Sequence, residues 1–143
     1  MIKDNKGQLS VEYLLIFLIS ILILIAITLP TLEFGISNSL DMMNIIKTKS
    51  EIVKITEAIN TIYSNCIGSK KTVIIDIPKD TTLYFSFKSV YFDYLLSDGN
   101  MKRIYLNCDY PDLTNTITLS KGINKINVEW SVNNDKIEVK HIG

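Results

Sequence analysis

Between Tyr13 and Leu32 the chain carries no charged residue, and leucine and isoleucine dominate the run. At about 1.5 Å rise per residue, this stretch makes a helix of roughly 30 Å, the thickness of a bilayer's hydrocarbon core. A helix apolar on every side must be surrounded by lipid or by other protein, so this run limits what the other residues can build. Those other residues have the composition of an ordinary water-exposed domain. The 143 residues include 15 Lys+Arg and 15 Asp+Glu, so no basic footprint for nucleic acid and no acidic tail is present. The length allows one modest domain joined to an extended segment.

The flank before the run is short and polar, with Lys3 and Lys6 ahead of the apolar residues. Such a flank is expected on the cytoplasmic side. An ordinary secretory signal has a shorter apolar stretch and a small-residue cleavage site beyond it. Here the apolar run is long and no Ala-x-Ala follows, so any processing site lies before the run. Pro30 interrupts the helical pattern and Gly35 follows, which predicts a kink or partial unwinding. The pattern then resumes. Ile45, Ile52, Ile55, Ile59, Ile62 and Cys66 recur at spacings of three, four and seven, with Lys47, Lys49, Glu51, Lys54 and Glu57 on the other faces. That is an amphipathic helix ending near Ile67-Gly68, with Gly68 as its C-terminal cap. The isoleucine stripe has two partners open to it, a sheet or neighbouring helices.

After Gly68 the period becomes two. Strands are predicted over 72–77, 82–88, 90–95, 101–108, 116–120, 126–132 and 136–142, with turns at Pro78-Lys79-Asp80, Ser97-Asp98-Gly99-Asn100 and Asn133-Asn134-Asp135. The fold class is therefore α+β: a long N-terminal helix over 8–67, membrane-length at 13–32, then an antiparallel β domain over 68–143.

The segment Lys6-Gly7-Gln8-Leu9-Ser10-Val11-Glu12-Tyr13 combines a polar stub with one acidic residue at the start of the apolar helix. An ionised glutamate in hydrocarbon costs several kcal/mol unless it is paired or neutralised. Cleavage after Gly7 would create an α-amine on Gln8, four residues from Glu12, and a carboxylate on one subunit could neutralise the amine of its neighbour. The plainer reading leaves Glu12 solvated at the headgroup level.

This segment resembles the signal of the archaeal class III prepilins, which reads Lys-Gly-Gln-x-Ser-x-Glu-Tyr/Phe before an apolar helix. Lys6, Gly7, Gln8, Ser10, Glu12 and Tyr13 match it. The resemblance implies that a membrane prepilin peptidase cuts between Gly7 and Gln8, removing the leader 1–7. Glu12 is then the acidic residue of the mature helix and acts in assembly. Type IV pilins also place a proline a little over twenty residues into the mature helix, where Pro30 stands. The resemblance implies a structural pilin of an archaeal type IV-like pilus. The precursor would sit in the cell membrane with its N-terminus cytoplasmic and its β domain outside, and would then join a homo- or hetero-oligomeric cell-surface filament. Removing Lys3, Lys6 and Asp4 from fifteen residues of each sign leaves thirteen basic and fourteen acidic. Two rivals are a minor pilin or pseudopilin, and a single-pass membrane-tethered β binding module.

Catalytic candidates are not found: the sequence has no phosphate loop, no Ser-His-Asp signature and no metal-ligand cluster, so no enzyme activity and no cofactor is expected. His141 stands alone near the chain end and reads as a surface residue. Asp109-Tyr110-Pro111-Asp112 lacks the ligand spacing of a calcium loop and reads as a turn. Tyr84, Phe85, Phe87, Tyr91, Phe92 and Tyr94 form either an adhesive surface or sheet core with cross-strand packing. Cys66 and Cys108 are too few for a structural zinc site; they are candidates either for one disulfide, if the domain is extracellular, or for two buried thiols. There is no Asn-x-Ser/Thr sequon for N-glycosylation.

Overall fold

The computed structural model describes residues 5–133 and 135–143, with side chains from residue 11 onward. One helix, α1 (Asn5–Asn65), is followed by seven strands. They are β1 (Lys70–Ile77), β2 (Thr81–Phe87), β3 (Ser89–Leu95), β4 (Met101–Asn107), β5 (Leu113–Leu119), β6 (Gly122–Trp130) and β7 (Ile137–His141). The result is a long apolar helix followed by antiparallel β structure, an α+β arrangement like that of type IV pilins. The chain divides into two compact units at residues 39 and 40.

Helical structure runs unbroken through Pro30 and Gly35. Proline removes the amide that would bond the carbonyl of Ala26, and nearby hydroxyls bind other carbonyls in that stretch. Thr28 Oγ1 donates to Leu24 O at 2.7 Å, and Thr31 Oγ1 donates to Ile27 O at 2.7 Å and to Thr28 O at 3.0 Å. These hydroxyls bond carbonyls other than that of Ala26, so none of them replaces the amide lost at Pro30.

Within the second unit, the strands form two antiparallel sheets rather than one: β1-β6-β7 and β4-β3-β2-β5. The isoleucine stripe goes to this core. Ile52, Ile55, Ile59 and Ile62 are fully buried beside Ala58, and the inward residues of both sheets, such as Ile75, Leu83, Phe92 and Val128, close over them. Polar ties fix the helix at three levels. The Ser97 amide donates to Asp41 Oδ2 at 2.6 Å, the Asp76 amide to Glu51 Oε2 at 3.1 Å, and the Asp109 amide to Asn60 Oδ1 at 2.9 Å. Each tie captures a main-chain donor at a turn or sheet edge, where no strand partner exists.

Two of the shifted boundaries change where side chains sit. The helix stops at Asn65, and Cys66 takes the left-handed conformation with φ 70°, one position before Ile67 and two before Gly68 at φ 95°. Cys66 thereby leaves the isoleucine stripe and is exposed. The strand expected over 126–132 ends at Trp130, leaving Val132 out in solvent.

Candidate functional site

The first unit carries the signal segment. Met1–Asp4 of the leader 1–7 lie outside the described residues, as do the side chains of Lys6, Gln8 and Ser10. The backbone is helical from Asn5, so the Gly7–Gln8 bond lies within the first turn of α1. A peptidase needs an extended backbone at the bond it cuts. Helix ends fray cheaply, and glycine is a weak helix former, so Gly7 marks a point that can unwind at little cost. Residues 8 and 12 are one turn apart, about 6 Å along the axis. Glu12 and Tyr13 are both exposed, and Tyr13 is 71% exposed.

Behind Glu12, every side chain from residue 11 to residue 36 is exposed. Among the described residues, none in the most apolar window of this helix is buried. A helix of this kind is stable only in lipid or against other helices.

The second unit separates most of the other sequence candidates. Asp109 gives its amide to Asn60, while Asp112 pairs with Lys136 at 2.9 Å on the far side of Tyr110. That pairing pushes the Lys136 pKa upward, with the Asp112 hydrogen bond as the main cause. His141 is exposed near the end of β7. Among the described residues, no group of three His, Cys, Asp or Glu side chains is arranged to hold a metal ion.

The six aromatics divide by strand alternation. Phe85, Phe92 and Tyr94 enter the core, whereas Tyr84 and Tyr91 stack at 5.1 Å on the outer face of the sheet. Tyr91 also meets Tyr105 at 5.5 Å, and the Arg103 guanidinium lies 4.8 Å from its ring centre. Arg103 is held there by Asp93 at 2.7 Å, whose carboxyl it keeps below the usual range. Phe87 is exposed at a hairpin tip.

Both thiols are free. Cys108 is buried, its Sγ donating to Asn60 Oδ1 at 3.3 Å, and burial pushes its pKa up. Cys66 follows Asn60 by six residues, about 9 Å along the helix, and turns outward.

Sequence reasoning missed Asp41, Asn60 and Asn115, the polar side chains that hold loops and edges together. Asp41 stands four residues before Ile45 on the buried face, and that misplaced charge was the available signal.

Residues 5–30 match the family model described as Class III signal peptide. No curated protein and no solved structure matches the chain. The chain thus carries a class III prepilin-type signal, which implies processing by a prepilin peptidase, and its apolar helix marks the precursor as membrane-anchored.

Proposed function

We propose that the chain is a structural pilin of an archaeal type IV-like pilus. It is made as a membrane-held prepilin, cut between Gly7 and Gln8, and assembled through α1 into a cell-surface filament. The observation that carries this reading is the uncovered apolar surface from residue 11 to residue 36, placed directly behind the signal. Lipid covers that surface in the precursor. On assembly, α1 of neighbouring subunits covers it instead, so apolar burial is conserved and close helix packing becomes the holding force. The β unit, whose core already buries one face of residues 45–62, stays outside the shaft. The protein's work is mechanical and it performs no catalysis.

Glu12 supplies the registration. Its carboxylate on one helix neutralises the new α-amine of Gln8 on the next, a pairing that strengthens as lipid or protein excludes water. The test compares the wild type with Glu12→Val in a host that makes a prepilin peptidase. Both chains should begin at Gln8 by mass, since the substitution leaves the cleavage bond and the apolar anchor intact. Filament yield in the sheared fraction should fall by roughly tenfold or more for Glu12→Val, as expected for loss of one partner of a desolvated charge pair. Surface material retaining Met1–Gly7 would remove the prepilin reading and favour the tethered module. Normal filament yield from the variant would leave Glu12 with a headgroup role alone.

A further inference from the structure

β5 and β7 are each one of the two outer strands of their sheets, and they lie side by side without pairing. Residues along them advance in step. Asp112 is level with Lys136, Asn115 with Val139, and Thr118 with Ile142, so the two strands run parallel along a shared groove.

The main-chain groups that face this groove follow from strand alternation. Ile142 donates its amide to Lys125 of the β6 side, so even-numbered residues of β7 turn toward β6 and Ile137, Val139 and His141 turn toward the groove. In the β2–β3 hairpin, Ser86 and Ser89 flank a two-residue turn, so β2 turns residues 81, 83 and 85 toward β5. Thr114, Thr116 and Thr118 of β5 then face the groove.

Side chains bridge the groove along the hydrogen-bonding path a strand would take. The two backbones come within 8 Å, less than the roughly 9.6 Å of two strand spacings, so an entering strand must part them. Asn115 Oδ1 accepts the Thr116 amide at 2.8 Å, and Asn115 Nδ2 donates to Val139 O at 2.7 Å. The chain N–H···O=C–N–H···O=C across the groove is the one that a peptide group of an intervening strand makes, with a carboxamide standing in for it. Tyr110 Oη does the same for the Ile137 amide, at 3.3 Å. Surrogates of this kind satisfy edge groups while leaving the two sheets unjoined.

We propose that the β5/β7 groove accepts an extended polypeptide segment, which enters as a strand and joins the two sheets into one. The groove specifies the segment's chemistry. Ile117, Ile137 and Val139 face inward and are buried, whereas Thr114, Thr116 and Thr118 are exposed outside. The incoming strand therefore alternates apolar residues facing in with small hydroxyl residues facing out. The rim charges are paired with opposite sign, Asp112 with Lys136 and Glu138 with Lys140, so an uncharged segment fits best. This inference does not depend on whether the chain assembles into filaments.

The test uses the full chain in detergent micelles and a capped octapeptide of alternating threonine and valine. Hydrogen exchange should slow by about tenfold or more at Thr114, Thr116, Thr118, Val139 and His141, the amides a new strand would protect. Asn115→Ala, which removes the surrogate, should bind the peptide more tightly. Thr116→Pro, which deletes a groove-facing donor and spares the β2 ladder, should bind it more weakly. A peptide N-methylated at alternate residues should protect nothing. Protection at the open outer edges of β1 or β4 in place of the groove, or no protection at millimolar peptide, would overturn the proposal.

Discussion

Cys66 and Phe87 are the two non-glycine residues with positive φ among those described, and they stand at opposite kinds of turn. Cys66 ends the helix where glycine or asparagine is usual. Phe87 opens the β2–β3 turn at φ 51° and is 67% exposed, although neither it nor Lys88 belongs to the residues that favour such turns. A side chain in the left-handed region costs roughly 1–2 kcal/mol relative to glycine. Cys66→Gly should therefore stabilise the chain by about 1 kcal/mol, seen as a rise of a few degrees in thermal unfolding of freshly isolated, unreduced protein. The sign is the informative part. Were Cys66 bridged to Cys108, the same substitution would cost about 4 kcal/mol in the chain-entropy description and lower the melting temperature.

The second half of α1 shows what an element's pattern can and cannot announce. Its spacing of isoleucines was enough to predict both the helix and its buried face, because a period near 3.6 has only one geometric meaning. The partner of that face was open in the sequence; the structure gives it the two sheets. The stripe also contains an error of chemistry. Thr48 is fully buried, and its hydroxyl finds no hydrogen-bond partner. Thr48→Val keeps the shape and removes the stranded hydroxyl, so it should raise stability by about 1 kcal/mol. Ile55→Ala, on the same face, should lower it by about 2–5 kcal/mol through lost burial and a residual cavity. Denaturant unfolding of both variants checks the pair, and a destabilised Thr48→Val would show that the hydroxyl is bonded after all. The strands were legible to within a few residues from alternation. Their division into two sheets was not, since pairing depends on contacts far apart in sequence, such as Lys70 with Glu129. The Phe87-Lys88 turn was hidden for a different reason: it carries no glycine or asparagine to mark it. The signal segment was fully legible at the level of residue type, because its chemistry is local. The β5/β7 groove was not, because it depends on where two distant strands come to rest.

At the scale of the whole molecule, the compact second unit begins at Leu40, inside the helix and well before the first strand. The buried residues of 45–62 belong to the same core cluster as the inward faces of both sheets. A chain starting at Leu40 should fold as a soluble monomer with a cooperative melt. A chain starting at Gly68 should aggregate or remain unfolded, since it exposes the inward faces of both sheets together. Size-exclusion chromatography and circular dichroism on the two truncations decide this, and a folded Gly68 chain would sever the link drawn between helix and core.

The isoleucine stripe also determines how tension would travel. Within the second unit, a pull applied at Leu40 runs along the helix that carries the row from Ile45 to Ile62. Loaded that way, the buried side chains are sheared together, and the row must slide about one turn, roughly 5.4 Å, before any of them reaches the pocket its neighbour vacated. The ties at Asp41, Glu51 and Asn60 resist over the same stroke. A strand at a sheet edge can be unzipped one bond at a time. A helix held along one buried face has to slide as a unit, and the force divides among all its contacts at once.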